Sequence, residues 1–337
     1  MGFWHAKYAA RLGARVVAIL DHDEARAREL SSRVGGGPDI YTSFEDMMSG
    51  VQPDIVHICT PPESHYAIAM PAIEAGIHLI VEKPLAGSVD ETETLLQAAE
   101  RRGVRLCPVH QFAFQDGVQA AVNELDGLGE LLKLRFTTSS AGGEGREKSD
   151  LDEIVADIIP HPLSILQKLR PAISLDAGSW SGVRAGAGEL QVIGLADGVA
   201  VDISISMNAR PTRCEVELFC SKGRIYINLF HGYSIVEKGG VSRRQKLFQP
   251  FRFAVKEFFV AGMNIGKRAL SRQPAYPGLA RLIEEFYEAV RSGTESPVSA
   301  VDTRAVAVSR EEIIRRIRLL KDGHADSQKR AVPGASG

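Results

Sequence analysis

The residues of this chain that could do chemistry sit where apolar runs end. The run Ile77–Val81 passes directly into Glu82-Lys83-Pro84. Parallel buried strands present ligand-facing groups at their carboxyl ends. A lysine there can hold a substrate oxygen or exchange a proton with it. Pro84 restricts Lys83 to extended backbone. The preceding run, Ile55–Cys59, ends in Thr60-Pro61-Pro62, and His65 follows in the first turn of the next helical pattern. Val16–Leu20 ends in Asp21, where a carboxylate accepts hydrogen bonds from an adenosine ribose. The chain opens Met1-Gly2-Phe3-Trp4-His5 and enters a helical pattern at once. Taken alone, each residue has a plainer role: Lys83 in a surface salt bridge, His5 in packing. Together they outline a nucleotide crevice.

The elements that must position these residues alternate. Helical patterns at 3–12, 23–34, 62–75 and 88–102 separate apolar strands at 15–20, 55–59, 77–81 and 104–109. Short buried strands divided by helices mean parallel β-α-β units and a doubly wound sheet. Beyond residue 110 the texture changes. A helical stretch at 115–125 and a strand at 130–139 precede a helical segment at 152–169 interrupted at Pro160. Six closely spaced strands follow between 174 and 237, with Asp197-Gly198 and Lys222-Gly223 as hairpin turns. Closing helices are expected at 279–291 and 303–320. Adjacent strands flanked by helices define an α+β domain with an open, mostly antiparallel mixed sheet.

Composition narrows the class. A chain of 337 residues has room for two domains. Its net charge of −2 gives no global basic field for nucleic acid, and no apolar run is long enough to span a membrane. The N-terminus lacks the pattern of a signal peptide. Cys59, Cys107, Cys214 and Cys220 form no C-x-x-C pair and no cluster with zinc spacing, so they read as reduced core thiols and no metal is expected. A cytoplasmic location follows from this usage. The segment 243–272 stands apart, with eight basic residues against Glu257 and with Phe251, Val255, Phe258, Phe259 and Met263 at helical spacing. The expectation is an amphipathic insert that packs its apolar face on the sheet. A subunit contact, a membrane-surface contact and a collar for an anionic substrate are the alternatives.

With T-P-P-x-x-H at Thr60–His65 and E-A-G-I-H-L-I-V-E-K-P-L ending at Leu85, the sequence resembles the Gfo/Idh/MocA family of glucose-fructose oxidoreductase and inositol dehydrogenase relatives. The resemblance implies a Rossmann dinucleotide-binding domain over 1–110, an α+β substrate and oligomerisation domain over 111–321, and a flexible tail over 322–337. It implies an NAD(P)-dependent oxidoreductase that moves a hydride between a hydroxyl-bearing carbon of a sugar, inositol or related polyol and nicotinamide. The family's lysine falls on Lys83, and its D-x-x-x-H pair falls on Asp157 and His161. His161 would accept the hydroxyl proton, Lys83 would stabilise the oxygen, and Asp157 would orient or charge-stabilise the site. Gly2, Asp21, Thr60, Pro61, His65, Glu82, Lys83 and Gln111 would contact the cofactor. Asp21 favours NAD over NADP, because a carboxylate repels a 2′-phosphate. The substrate would be a small polyol or sugar, anionic if the basic insert faces it, and the protein a homodimer or homotetramer.

One departure stands out. Of the glycine motif G-x-G-x-x-G only the third glycine, Gly2, is here, without the strand and the two phosphate-facing glycines before it. The expectation is an N-terminal truncation, from an internal start codon or a shortened gene, and weak NAD binding. A dinucleotide-binding sensor, a non-catalytic interaction module of the same fold, and a redox-neutral use of the same site are the rival readings.

Overall fold

The structure is a computed structural model that describes residues 1–140, 142–175, 178–239, 243–270, 275–276 and 278–330. The chain divides into two units. One comprises Met1–Phe114 with Gly278–Ala307, and the other Gln115–Pro277 with the segment from Val308 onward.

The first unit begins with helix α1 (Gly2–Arg11), followed by β1 (Ala18–Leu20), α2 (Glu24–Val34), β2 (Asp39–Tyr41), α3 (Phe44–Gly50), β3 (Ile55–Ile58), α4 (His65–Glu74), β4 (His78–Val81), α5 (Val89–Arg102) and β5 (Leu106–Pro108). Local signals set these boundaries. Asp23 caps α2 by accepting from the amides of Ala25 and Arg26, Ser43 caps α3, and Ser88 caps α5. Gly103 ends α5 in the left-handed region, at φ +66°, which favours glycine. All strand pairs in this unit are parallel, in two ladders, β1–β2 and β3–β4–β5. No strand joins the two ladders among the described residues. The three-residue strand β2 lies in a stretch where the sequence shows no strand period.

Side-chain alternation along β4 places helices on both faces of its ladder. Leu79 and Val81 join a core with α4 and α5. Ile80 faces the other way, into a core with Tyr8 and Ala9 of α1 and Cys107 of β5. The rest of that second face comes from α10 (Leu279–Ser292), defined below in chain order, whose Leu279, Leu282, Ile283 and Phe286 are fully buried there. A division at residue 110 therefore needs correction, because the sheet's second face is left uncovered until 279–292 returns to it.

The second unit holds α6 (Asp116–Leu125), β6 (Leu131–Ser139), α7 (Lys148–Ile158), α8 (Pro160–Leu169), β7 (Ser179–Gly186), β8 (Glu189–Ala196), β9 (Val199–Ser206), β10 (Arg213–Cys220), β11 (Gly223–Asn228), β12 (Tyr233–Lys238) and α9 (Arg243–Leu270). The chain then runs through α10 and into α11 (Ala300–Arg330). Seven strands form one sheet in the order β12-β11-β10-β6-β9-β8-β7, antiparallel except for the β6–β9 pair. One face is apolar, through Leu134, Phe136, Ile203, Val216 and Ile227. The other carries an ion-pair ladder in which Asp202 meets Lys133 (3.2 Å) and Arg135 (3.4 Å), and Glu217 meets Arg135 (3.5 Å) and Arg224 (3.0 Å). Helix α6 approaches β12 closely at Gly117, where a Cβ would stand 2.7 Å from the Tyr233 carbonyl carbon.

One further expectation, for helix α9, is corrected. Helix α11 runs to Arg330, into the segment expected to be a tail. Residues 331–337 lie outside the described residues. Helix α9 does not lay its apolar face on the sheet. Phe251, Val255, Phe258, Phe259 and Met263 are all exposed. The four cysteines are thiols, with Cys107 and Cys214 buried and pushed up to about 12 by that burial.

The second-face core sets a stability test. Replacing Phe286 with Ala removes a fully buried ring and should cost about 3–5 kcal/mol, read as a lowered denaturant midpoint. A midpoint within error of the parent would show that 279–292 does not seal the first unit.

Candidate active site

Asp21, Thr60, Glu82 with Lys83, and Gln111 each follow a parallel strand, namely β1, β3, β4 and β5. The fold therefore delivers these residues to the carboxyl ends of its two ladders, where open α/β sheets bind ligands. Asp21 is partly exposed. Its Oδ1 accepts from the Asp23 amide (3.0 Å) and lies 3.2 Å from His22 Nδ1. The Thr60 hydroxyl accepts from Ser64 (2.7 Å), and Pro61 caps a single turn of 3₁₀ helix, Pro62–Ser64.

Glu82 is the most constrained of the set. His5 Nε2 lies 3.1 Å from its Oε1, and the Lys83 amide donates to its Oε2 (3.3 Å). His5 is buried, and burial alone would lower its pKa. The Cys59 sulfur and the Glu82 carboxylate outweigh that and raise it to about 9. Burial alone would also raise Glu82, but the imidazolium of His5 and the charge of Lys83 hold it below the usual carboxylate value. The result is a buried ion pair. A charged His5 donates from both ring nitrogens, so its Nδ1–H points to His57 Nδ1 at 2.9 Å. Burial and the neighbouring charge keep His57 well below its ordinary pKa, hence neutral. Its remaining N–H is then on Nε2, which donates to the Tyr287 hydroxyl at 3.0 Å. The chain Glu82–His5–His57–Tyr287 thus links β4, α1, β3 and α10.

His65 is fully buried, with Nδ1 2.8 Å from the Pro84 carbonyl and Nε2 2.9 Å from the Thr60 carbonyl, so its ring sits between two strand-end loops. Gly2 opens α1 as expected. A Cβ there would meet Leu30 at 3.6 Å, an ordinary contact, so packing does not demand glycine. Gln111 is buried, and its Oε1 has no hydrogen-bond partner among the described residues. The same holds for His110 Nδ1. His110 is pulled down to about 4 by burial and by the charge of Lys83, so it is neutral beside that lysine. Two unsatisfied buried polar atoms at the end of β5 suit a ligand that carries its own donors and acceptors.

In the second unit, Asp157 ends α7 and His161 opens α8, with Pro160 at the first position of the new helix. Ile159 stays in the right-handed helical region, at φ −51°, so the backbone turns on without a gap. His161 is buried, and its carbonyl accepts from Ser164 (3.0 Å). Arg310 of α11 stands 3.9 Å from the Asp157 carboxylate and donates to the Ala156 carbonyl (3.3 Å). Sequence reading did not find Arg310, His57 or Tyr287. Only His57 carries a signal, as the one polar residue in Ile55-Val56-His57-Ile58.

A doubly wound unit with an acidic residue after β1 and an anchored Glu-Lys pair after β4 has the layout of a dinucleotide-binding strand-end crevice. Residues 2–110 match the Gfo/Idh/MocA family model, described as "Oxidoreductase family, NAD-binding Rossmann fold". The chain is 26% identical to an inositol 2-dehydrogenase of Burkholderia vietnamiensis over 312 residues, covering 91% of this chain and 87% of that one. It is 33% identical to a D-apiose dehydrogenase of Paraburkholderia graminis over 108 residues, 32% of this chain and 28% of the relative. Several curated relatives are matched over only 28–32% of their own length. The fold is also that of the WlbA dehydrogenase from Bordetella pertussis, solved with NADH and UDP-GlcNAcA. That match has a TM-score of 0.71 at 15% identity, covering 93% of this chain and 91% of that one.

The buried ion pair gives stability a pH signature. His5 is raised from 6.5 to about 9 on folding, so its contribution is complete below pH 6.5 and drains away as pH rises through about 9. Glu82 is lowered from 4.5, so its contribution is complete above that value and is lost as pH falls below it. Between pH 6.5 and 9 the parent protein should lose stability relative to a His5→Gln variant. Denaturant midpoints across that window measure it, and parallel curves would remove the charge from His5.

Proposed function

We propose that this protein is an NAD-dependent dehydrogenase acting on a hydroxyl-bearing carbon of a sugar, inositol or related polyol. The observation that carries the reading is the Glu82-Lys83 pair at the end of β4, with its carboxylate fixed by a buried histidine. The sugar and inositol dehydrogenases among the relatives support the substrate class. Nicotinamide, when bound, takes up or gives the hydride.

The chain's own residues do the rest. Asp21 would accept from the adenosine ribose. The amide end of α1 at Gly2 favours phosphate charge, as helix N-termini do. Thr60, Pro61, Glu82 and Gln111 would line the nicotinamide half. Lys83 carries positive charge to the substrate oxygen, which lowers the cost of alkoxide character as the hydride leaves. Its neighbour His110, held neutral, does not compete with it for an anion. His161 accepts the hydroxyl proton, a task for which imidazole has a suitable pKa range. Asp157 balances charge at the start of α8 and is itself steadied by Arg310. The charge-paired outer ladder of the seven-stranded sheet, flanked by exposed Val183, Ile193 and Leu195, suits pairing of subunits.

Two measurements test the assignment. Lys83→Ala should lower kcat about 100-fold or more for the best substrate of a sugar and inositol panel, followed at 340 nm. Full turnover in that variant would remove lysine from the chemistry. NAD should exceed NADP in kcat/KM by about tenfold or more, and Asp21→Ser should narrow the gap. Better use of NADP by the parent would overturn the role of Asp21.

A further inference from the structure

We propose that helix α9 docks this protein on an anionic lipid surface, lying in the headgroup plane with Phe251, Val255, Phe258, Phe259 and Met263 immersed. The helix is inverted relative to an ordinary surface helix. The side that meets the protein is mixed, with Phe253, Glu257 and Asn264 on it. Lys256 Nζ donates to the Val236 carbonyl (2.6 Å), Asn264 to the His231 carbonyl (2.8 Å), and Lys267 to Asp116 (2.5 Å). Its one acid, Glu257, accepts from the Tyr233 hydroxyl (3.3 Å), and Phe253 meets Tyr226 edge-on at 5.9 Å. The apolar side points away. Phe251 is 70% exposed, Phe258 and Met263 76% each, and Phe259 62%. At 3.6 residues per turn these positions form one continuous stripe. Isolated exposed apolar residues need no explanation, but a stripe of this length does.

Charge identifies what covers the stripe. Segment 243–272 holds eight basic residues and one acid, a net +7, while the whole chain is −2, so the remaining residues carry −9. Seven of the eight basic residues belong to helix α9 itself, which also shows the exposed apolar stripe. A second copy of the chain is a poor occupant, because two-fold pairing through this helix would bring a net +6 against +6. An anionic bilayer satisfies both properties, taking the aromatic stripe into the acyl boundary and the basic groups at headgroup level. Arg252 and Lys256 adjoin Phe251 and Val255 around a shallow hollow, setting cationic and apolar groups side by side as a phospholipid does with phosphate and chain. No helix among the described residues is long and apolar enough to cross a membrane, so the attachment is peripheral.

The test is co-sedimentation of the full chain with vesicles of phosphatidylglycerol and phosphatidylcholine, against phosphatidylcholine alone. The expected result is binding about tenfold or more tighter to the anionic vesicles, and its loss at about 0.5 M salt. The F258D/F259D variant should bind about tenfold more weakly or worse, and R252E should reduce the preference for anionic lipid. Both variants should keep the parent's circular dichroism, since these side chains touch solvent. The proposal is overturned if the parent stays in the supernatant with pure phosphatidylglycerol at low salt, or if F258D/F259D binds as the parent does. It is also overturned if F258D/F259D breaks a lipid-free oligomer into smaller species, which would make the stripe a contact between copies. Turnover plays no part in these readouts.

Discussion

The hydrogen-bonded charge pair between His5 and Glu82 is the contact on which the rest of the first unit depends. Neither partner would keep its charge alone at that depth, and losing one would strand the other. The pair joins the first helix of the chain to the end of β4. It also fixes the tautomer of His57 and, through it, the orientation of Tyr287. A second strut, His65, clamps the loops after β3 and β4 to each other. Lys83 therefore emerges between two anchored points, which suits a group that must meet a reacting oxygen without reorganising.

The two units use charge in opposite ways. In the first, charge is buried and paired at the strand ends. In the second, it is spread over the exposed face of the sheet, where Asp202 and Glu217 are each shared by two cations. Helix α9 departs from both patterns, because its polar groups reach the edge strand β12 and the turn before it while Phe251, Val255, Phe258, Phe259 and Met263 stand exposed.

Much of this was legible in the sequence, for identifiable reasons. Period-two and period-3.6 patterns place β3, β4, α5 and the later hairpins, and Ser43, Ser88 and Gly103 mark helix ends by their own chemistry. The strand-end residues Asp21, Thr60 and Glu82-Lys83 follow from the parallel topology. What escaped depends on distance along the chain. Tyr287 lies 230 residues from His57, and no local pattern reports such a pair. Arg310 reaches Asp157 from another helix in the same way. The position of the His65 ring between the Thr60 and Pro84 carbonyls likewise shows only in the coordinates. The spacing in α9 revealed an amphipathic helix, yet spacing cannot tell which side faces the protein.

The return of 279–292 to the first unit has a consequence for synthesis. On the ribosome, strands β3, β4 and β5 emerge long before the helix that covers their second face. Roughly half of the chain, including the whole seven-stranded sheet, is translated in between. During that interval Ile80 and Cys107 face water or a chaperone, and Tyr287 is not yet there to meet His57. The nucleotide-binding half can start first but must finish late. The vulnerable intermediate in its biogenesis is thus an uncapped parallel ladder waiting for its own C-terminal region.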